Sequence, residues 1–197
     1  MRLSDNIMTN GIDDSIFDFV YEIALRDATM RSAYVGPHEN LIKGEHAQRV
    51  KKYINEYISN ILNGNYPNFY ETESIVEKEL EQYNFSFGNC QKLINMTVKY
   101  FYIATYKNSS KKKLFDKCHC PMDRIMIKKV IQLSKETEVL QIANCDIKNI
   151  DCSWSKLEKI NDTIPIQYIK FQKAVSILAK QKGINPIEFD FVFWSGK

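Results

Sequence analysis

Between Gly88 and Ala104 the chain places Leu93, Ile94, Met96, Val98, Tyr100, Phe101 and Ile103 so that apolar side chains cover most of a helix's circumference. A helix of that kind has no broad face to give to water and belongs at the centre of a fold, with other helices packed round it. The flanking sequence supplies those partners. Val50, Tyr53, Ile54, Tyr57, Ile58, Ile61 and Leu62 recur at the three-and-four spacing of one apolar stripe, and Asn63-Gly64-Asn65 supplies the stop. Asp13-Asp14-Ser15 offers N-cap chemistry ahead of Ile16, Phe17, Phe19, Val20 and Ile23, which predicts a first helix running toward Arg31 and broken by Gly36-Pro37. A further helix opens on the capping signature at Thr72, carries Ile75, Val76 and Leu80 and ends near Phe85, with Ser86-Phe87-Gly88-Asn89 as a tight turn before the central helix.

Downstream, Pro121 fits an early position in a helix carrying Ile125, Ile127, Val130, Ile131 and Leu133. Ile166, Ile169, Ala174, Val175 and Leu178 form another helical face ended by Gly183, and Pro186 starts a last short helix through Trp194. Residues 135–162 lack usable periodicity, although Trp154 and Leu157 could anchor them on the core. No strand alternation of useful length occurs, so the expected class is all-α.

With 197 residues, 44% of them apolar and 12% aromatic, the chain can bury a sizeable core as one domain or as two small lobes sharing a cleft. A formal charge of +3 permits nucleic-acid binding without indicating it. The five cysteines are odd in number and Met1–Gly11 has no apolar secretory segment, which predicts a reducing cytoplasmic compartment, nucleoid-associated in a prokaryote. No run approaches eighteen apolar residues, so no membrane span is expected. Cys118-His119-Cys120 lacks the spacing of a zinc knuckle, and His38 and His46 have no metal-ligand interval, so neither a metal nor a cofactor is expected.

Two polar residues stand out against this apolar background, Lys92 in the central helix and Asp123 after Pro121. Taken singly, each has an ordinary reading, Lys92 as a solvated side chain and Asp123 as a helix N-terminal carboxylate. Taken together they suit covalent catalysis. A neutral amine in apolar surroundings at the positive end of a helix is a nucleophile, and a nearby carboxylate can relay its proton and face a cationic intermediate.

The Gln91-Lys92 segment, the Pro121-Met122-Asp123-Arg124 segment 31 positions further on and the ending Tyr168…Gln172-Lys173, Gly183-Ile184, Pro186, Asp190…Trp194 resemble the helix-hairpin-helix DNA glycosylases. Within that superfamily they are most similar to the archaeal 8-oxoguanine branch. The resemblance implies a single domain over residues 1–197 whose two helical lobes interleave in sequence, with the helix-hairpin-helix at about 73–106 and a cleft between the lobes. It further implies a monomer acting on double-stranded DNA that contains a damaged or modified base. The base is flipped out and excised through a lysine Schiff base, with associated lyase activity; 8-oxoguanine is the default substrate.

By the same resemblance Lys92 and Asp123 are catalytic, and Asp190 and Trp194 line the base pocket. Thr29 sits where the archaeal enzymes place a base-reading glutamine, and the 43–47 stretch with His46 where they place a stacking tryptophan, which makes Thr29 and His46 base-binding candidates. Gly88 and Asn89 in the hairpin, the basic loop Lys111, Lys112 and Lys113, and Arg124 are the candidates for the DNA backbone. Other readings fit the same residues: excision of a modified phage base in defence, a helical DNA-binding protein without turnover, or a protein-interaction module.

Overall fold

The computed structural model describes residues 14–29, 44–136, 147 and 153–194. The expected breaker Gly36-Pro37, the N-cap residue Asp13, His38, Cys145 and Cys152 lie outside them. Within the described residues the protein is all-α: α1 (Asp14–Thr29), α2 (Gly44–Leu62), α3 (Phe69–Leu80), α4 (Phe87–Thr105), α5 (Arg124–Glu136), α6 (Ile166–Lys182) and α7 (Pro186–Phe193). Short 3-10 turns occupy Glu81–Tyr83, Ser110–Phe115 and Trp154–Lys156, and the β pairing among these residues is one isolated bridge between Ile160 and Thr163. None of these helices is long and apolar enough to cross a membrane.

The central helix is α4, as its all-round apolar pattern requires. It packs against α1, α2, α3, α7 and the 154–156 turn, and Leu93, Ile94, Val98, Phe101 and Tyr102 are buried on its several faces. Side chains of this size contribute about 1.5–3 kcal/mol each on burial. That is why α4 organises the other helices.

Helix boundaries follow capping rather than apolar periodicity alone. Ser86 is not in a turn before α4 but caps it: its hydroxyl accepts from Asn89 N–H at 3.2 Å, and Asn89 Oδ1 accepts from Ser86 N–H. Phe87, Gly88 and Asn89 are therefore the first turn of α4. Similarly α3 begins at Phe69, not Thr72, because Asn68 accepts from Tyr70 N–H at 3.0 Å, and it ends at Leu80. The α6 helix ends as expected at Gly183, whose φ of +67° suits a residue without a Cβ while its N–H bonds the Lys180 carbonyl.

The 153–163 segment lies across the start of α4 and reaches the middle of α3. Trp154 and Leu157 join the core, as anticipated, and the Ser86 hydroxyl donates to the Ser155 carbonyl at 2.7 Å. Midway along it Lys159 Nζ meets Glu73 Oε2 at 2.6 Å, Glu77 Oε2 at 2.7 Å and Ser74 Oγ at 2.9 Å. Burial holds the Glu73 carboxyl up at about 7, against the Lys159 ammonium, while Glu77 adds to the rise. A carboxyl raised in the folded state binds more protons than its unfolded counterpart, so stability falls as pH climbs from about 4.5 to about 7. In Glu73→Gln that fall is abolished, which urea unfolding at pH 5 and pH 7.5 would read as a stability difference smaller by about 1–3 kcal/mol than in wild type.

Candidate active site

Five residues on α4, Lys92, Met96, Lys99, Tyr100 and Ile103, recur at helical spacing and present one stripe to a cavity of about 640 Å³. Asp27 enters this cavity from α1, Asp123 and Ile125 from the start of α5, and Asp190, Phe191 and Trp194 from α7 and its end. A wider hollow of about 910 Å³ opens elsewhere, between α3 and the 153–163 segment, but Lys92 and Asp123 do not line it.

Lys92 and Asp123 meet as the sequence anticipates. Lys92 Nζ stands 3.8 Å from Asp123 Oδ2, with side chains only 12% and 14% exposed. That separation is an ion pair rather than a hydrogen bond, so the amine is close to the carboxylate without being locked to it. Burial lowers the Lys92 pKa, and Asp123, Asp27 and Asp190 work against it. The helix terminus contributes less than expected. With Phe87 as the first residue of α4, Lys92 lies in the second turn, where the end field has fallen off. On its other side the Lys92 ammonium rests 4.4 Å from the centre of the Trp154 ring, a contact that favours the charged form by about 0.5–2 kcal/mol.

Asp123 has two roles, one per oxygen. Oδ1 accepts from the Ile125 and Met126 N–H groups at 2.9 Å each and so caps α5, which leaves Oδ2 toward Lys92. Pro121 and Met122 consequently precede α5 instead of opening it.

The two catalytic candidates are held in register through their neighbours. Gln91 Nε2 donates to the carbonyls of Met122 (2.8 Å) and Gly88 (3.0 Å), and Gln91 Oε1 accepts from Met122 N–H at 3.2 Å. A similar clasp follows two residues earlier, where Gln172 accepts from Cys120 N–H and donates to Cys120 C=O. Asn95 bridges Gln91 and the Tyr168 hydroxyl, which also meets His119 Nδ1 at 2.9 Å. Burial lowers His119 to about 4, so a neutral ring sits here, and burial raises the Cys118 and Cys120 thiols. The Cys118–Cys120 stretch is thus a packed support for Asp123. Gln91→Leu would leave the two Met122 groups unpartnered at a cost of about 2–4 kcal/mol, and should lower the urea midpoint and the activity together.

Asp190 and Trp194 both line the cavity. Asp190 is 1% exposed, and its Oδ2 pairs with Lys99 Nζ at 2.8 Å. Burial raises its pKa, with Lys99 opposing the rise. Its Oδ1 has no hydrogen-bond partner among the described residues. Trp194 is 58% exposed, so it forms part of the rim.

Other candidates take different places. Thr29 does not line the cavity; its hydroxyl donates back to the Leu25 carbonyl at 2.8 Å. Two residues earlier, α1 turns Asp27 toward the cavity, where it accepts from the Tyr100 hydroxyl. His46 is also absent from the lining and instead meets Glu79 and Arg49 at 2.9 Å on α2 and α3. Gly88 and Asn89 do not offer a phosphate site. The Gly88 N–H donates to the Leu157 carbonyl at 3.1 Å, the Asn89 N–H is taken by Ser86, and Asn89 Nδ2 donates to the Ala28 carbonyl at 2.7 Å. Lys111, Lys112 and Lys113 lie exposed on a 3-10 turn, and Arg124 is exposed at the first residue of α5.

Asp27, Lys99 and Tyr100 were not singled out as site residues from the sequence. For Lys99 a signal existed, since a residue seven after Lys92 lies two turns along the same helix face. Burial raises the Tyr100 pKa, the hydrogen bond to Asp27 adding to it. No protein-family model, no curated protein and no solved structure matches this chain.

Proposed function

We propose that the protein is a DNA glycosylase with associated lyase activity. The observation that carries this reading is the Lys92 amine, its pKa lowered by burial, 3.8 Å from a carboxylate in a cavity of about 640 Å³, which has room for a nucleobase and part of its sugar. In this reading the helices form two lobes around that cavity, and a base flipped out of double-stranded DNA enters it. The neutral Lys92 amine forms a bond to the anomeric carbon while the electron pair of the glycosidic bond leaves with the base. Asp123 Oδ2 takes or relays the proton lost from nitrogen and faces the positive charge on the sugar. Opening of the sugar ring then gives the Schiff base, and loss of a C2′ proton expels the 3′ phosphate and nicks the strand.

Asp190 and Trp194 hold the base, and the exposed Lys111, Lys112, Lys113 and Arg124 supply positive charge for the phosphate backbone. The protein acts as a monomer in this scheme and needs no cofactor. The resemblance supplies 8-oxoguanine as the first base to test. Incubation with duplexes bearing 8-oxoguanine, a panel of other modified bases or a preformed abasic site, followed by borohydride, should trap a covalent protein–DNA adduct. DNA binding with no adduct on any duplex would favour a binding protein without turnover.

A further inference from the structure

Resting on the glycosylase reading, we infer that Trp154 is a positioning residue for the nucleophile, its ring face holding the Lys92 nitrogen while that nitrogen is cationic, as ammonium before the reaction and as iminium within it. The ring centre lies 4.4 Å from Lys92 Nζ, and both side chains are largely buried. Little water screens a cation from an aromatic face in such a setting, and indole attracts more strongly than the other aromatic rings. Trp154 does not line the cavity, so it touches the nitrogen from outside the space that a nucleobase would fill.

The contact is fixed by the backbone on both sides. Gly88 lies one helical turn before Lys92 on the same face of α4, and the Trp154 carbonyl oxygen occupies the space that a Cβ on Gly88 would need. The Ser86 hydroxyl and the Gly88 N–H bond the carbonyls of Ser155 at 2.7 Å and Leu157 at 3.1 Å, which holds the tryptophan against this face. A glycine and the lysine one turn on thus meet the carbonyl and the ring of one residue. In the Schiff base the nitrogen again carries a positive charge, close to the ring and to the Asp123 carboxylate. Both exits from that intermediate, attack of water at C1′ or loss of the C2′ proton, move an electron pair onto the nitrogen and discharge it. A π face against the nitrogen therefore slows both exits and lengthens the life of the intermediate.

The test replaces Trp154 in the full chain by tryptophans carrying one, two or four ring fluorines, which drain the π face while nearly keeping the shape of the indole. Burial and the charges of Asp27, Lys99, Asp123 and Asp190 around Lys92 are common to the series, so differences within it report the ring. Two probes are used. Acetic anhydride reads Lys92 acetylation across pH without DNA, and an abasic-site duplex receives borohydride at increasing delays after dilution into competitor duplex. We expect the acetylation midpoint to fall stepwise with fluorine, by about half to one and a half pH units across the series. The trappable adduct should decay about twofold faster or more in the tetrafluoro protein, while the thermal midpoint stays level. An acetylation midpoint that does not move overturns the inference whatever happens on DNA, and so does an adduct whose decay is unchanged. Absence of trapping on the abasic-site duplex removes the glycosylase reading and the iminium with it; the acetylation midpoint then decides alone whether the ring holds the amine.

Discussion

Lys92→Gln should abolish the borohydride-trapped adduct and reduce base release and strand nicking by about three to four orders of magnitude, while the protein remains folded. The amide cannot form a Schiff base, so the adduct has no other route through this residue. Stability should stay level or rise. Burial disfavours the Lys92 ammonium in the folded state, so replacing it with a neutral side chain removes a penalty that the loose pair with Asp123 and the Trp154 ring only partly offset. A thermal melt of the variant at or above the wild-type midpoint, together with absent adduct, separates lost chemistry from lost fold. In wild type the trapping rate should rise with pH through a value below the ordinary 10.5 of lysine, because the neutral amine is the reacting form. Undiminished trapping in Lys92→Gln would assign the nucleophile elsewhere.

Gly88→Ala should be the most damaging single change for stability, at about 3 kcal/mol or more. A Cβ at this position would stand 1.8 Å from the Trp154 carbonyl oxygen, 2.8 Å from its carbon and 3.1 Å from Ser155 Cα. All three are backbone atoms, so no rotamer change relieves the clash. The 153–163 segment would have to lift, breaking the Gly88 N–H bond to Leu157 and moving the Trp154 ring off Lys92. Thermal unfolding of Gly88→Ala should show the drop, and the remaining folded protein should trap DNA less efficiently. A variant as stable as wild type would mean that the segment does not approach α4 this closely.

The same glycine shows where sequence reading stopped. A lone glycine in an expected hairpin suggests exposed amides for phosphate, and the pattern in the sequence is the same whether the missing side chain makes room for DNA or for the chain's own carbonyl. Only the 153–163 segment decides, and that stretch has no apolar period because only Trp154 and Leu157 anchor it on the core, the rest being held by backbone bonds and the Lys159 ion pairs. By contrast α2 and α6 were legible because burial repeats at the helical period along each of them, and α4 because it is apolar nearly all round. The start of α3 was misplaced because Thr72 and Asn68 both offer cap chemistry, and the choice falls to the residue whose side chain meets a free N–H. Lys92 and Asp123 could be paired through motif order. Asp27 could not, since its approach to the cavity depends on how α1 lies on α4.

Asp123 spends one oxygen on the end of α5, and it cannot rotate toward or away from Lys92 without breaking the Ile125 and Met126 hydrogen bonds. The field at Lys92 is therefore set when the chain folds, and under the proposed mechanism no reorganisation of this carboxylate has to accompany the reaction. The helix end acts as a fixed mount. Sharpening the chemistry by changing residue 123 and firming up α5 are, in this protein, the same alteration.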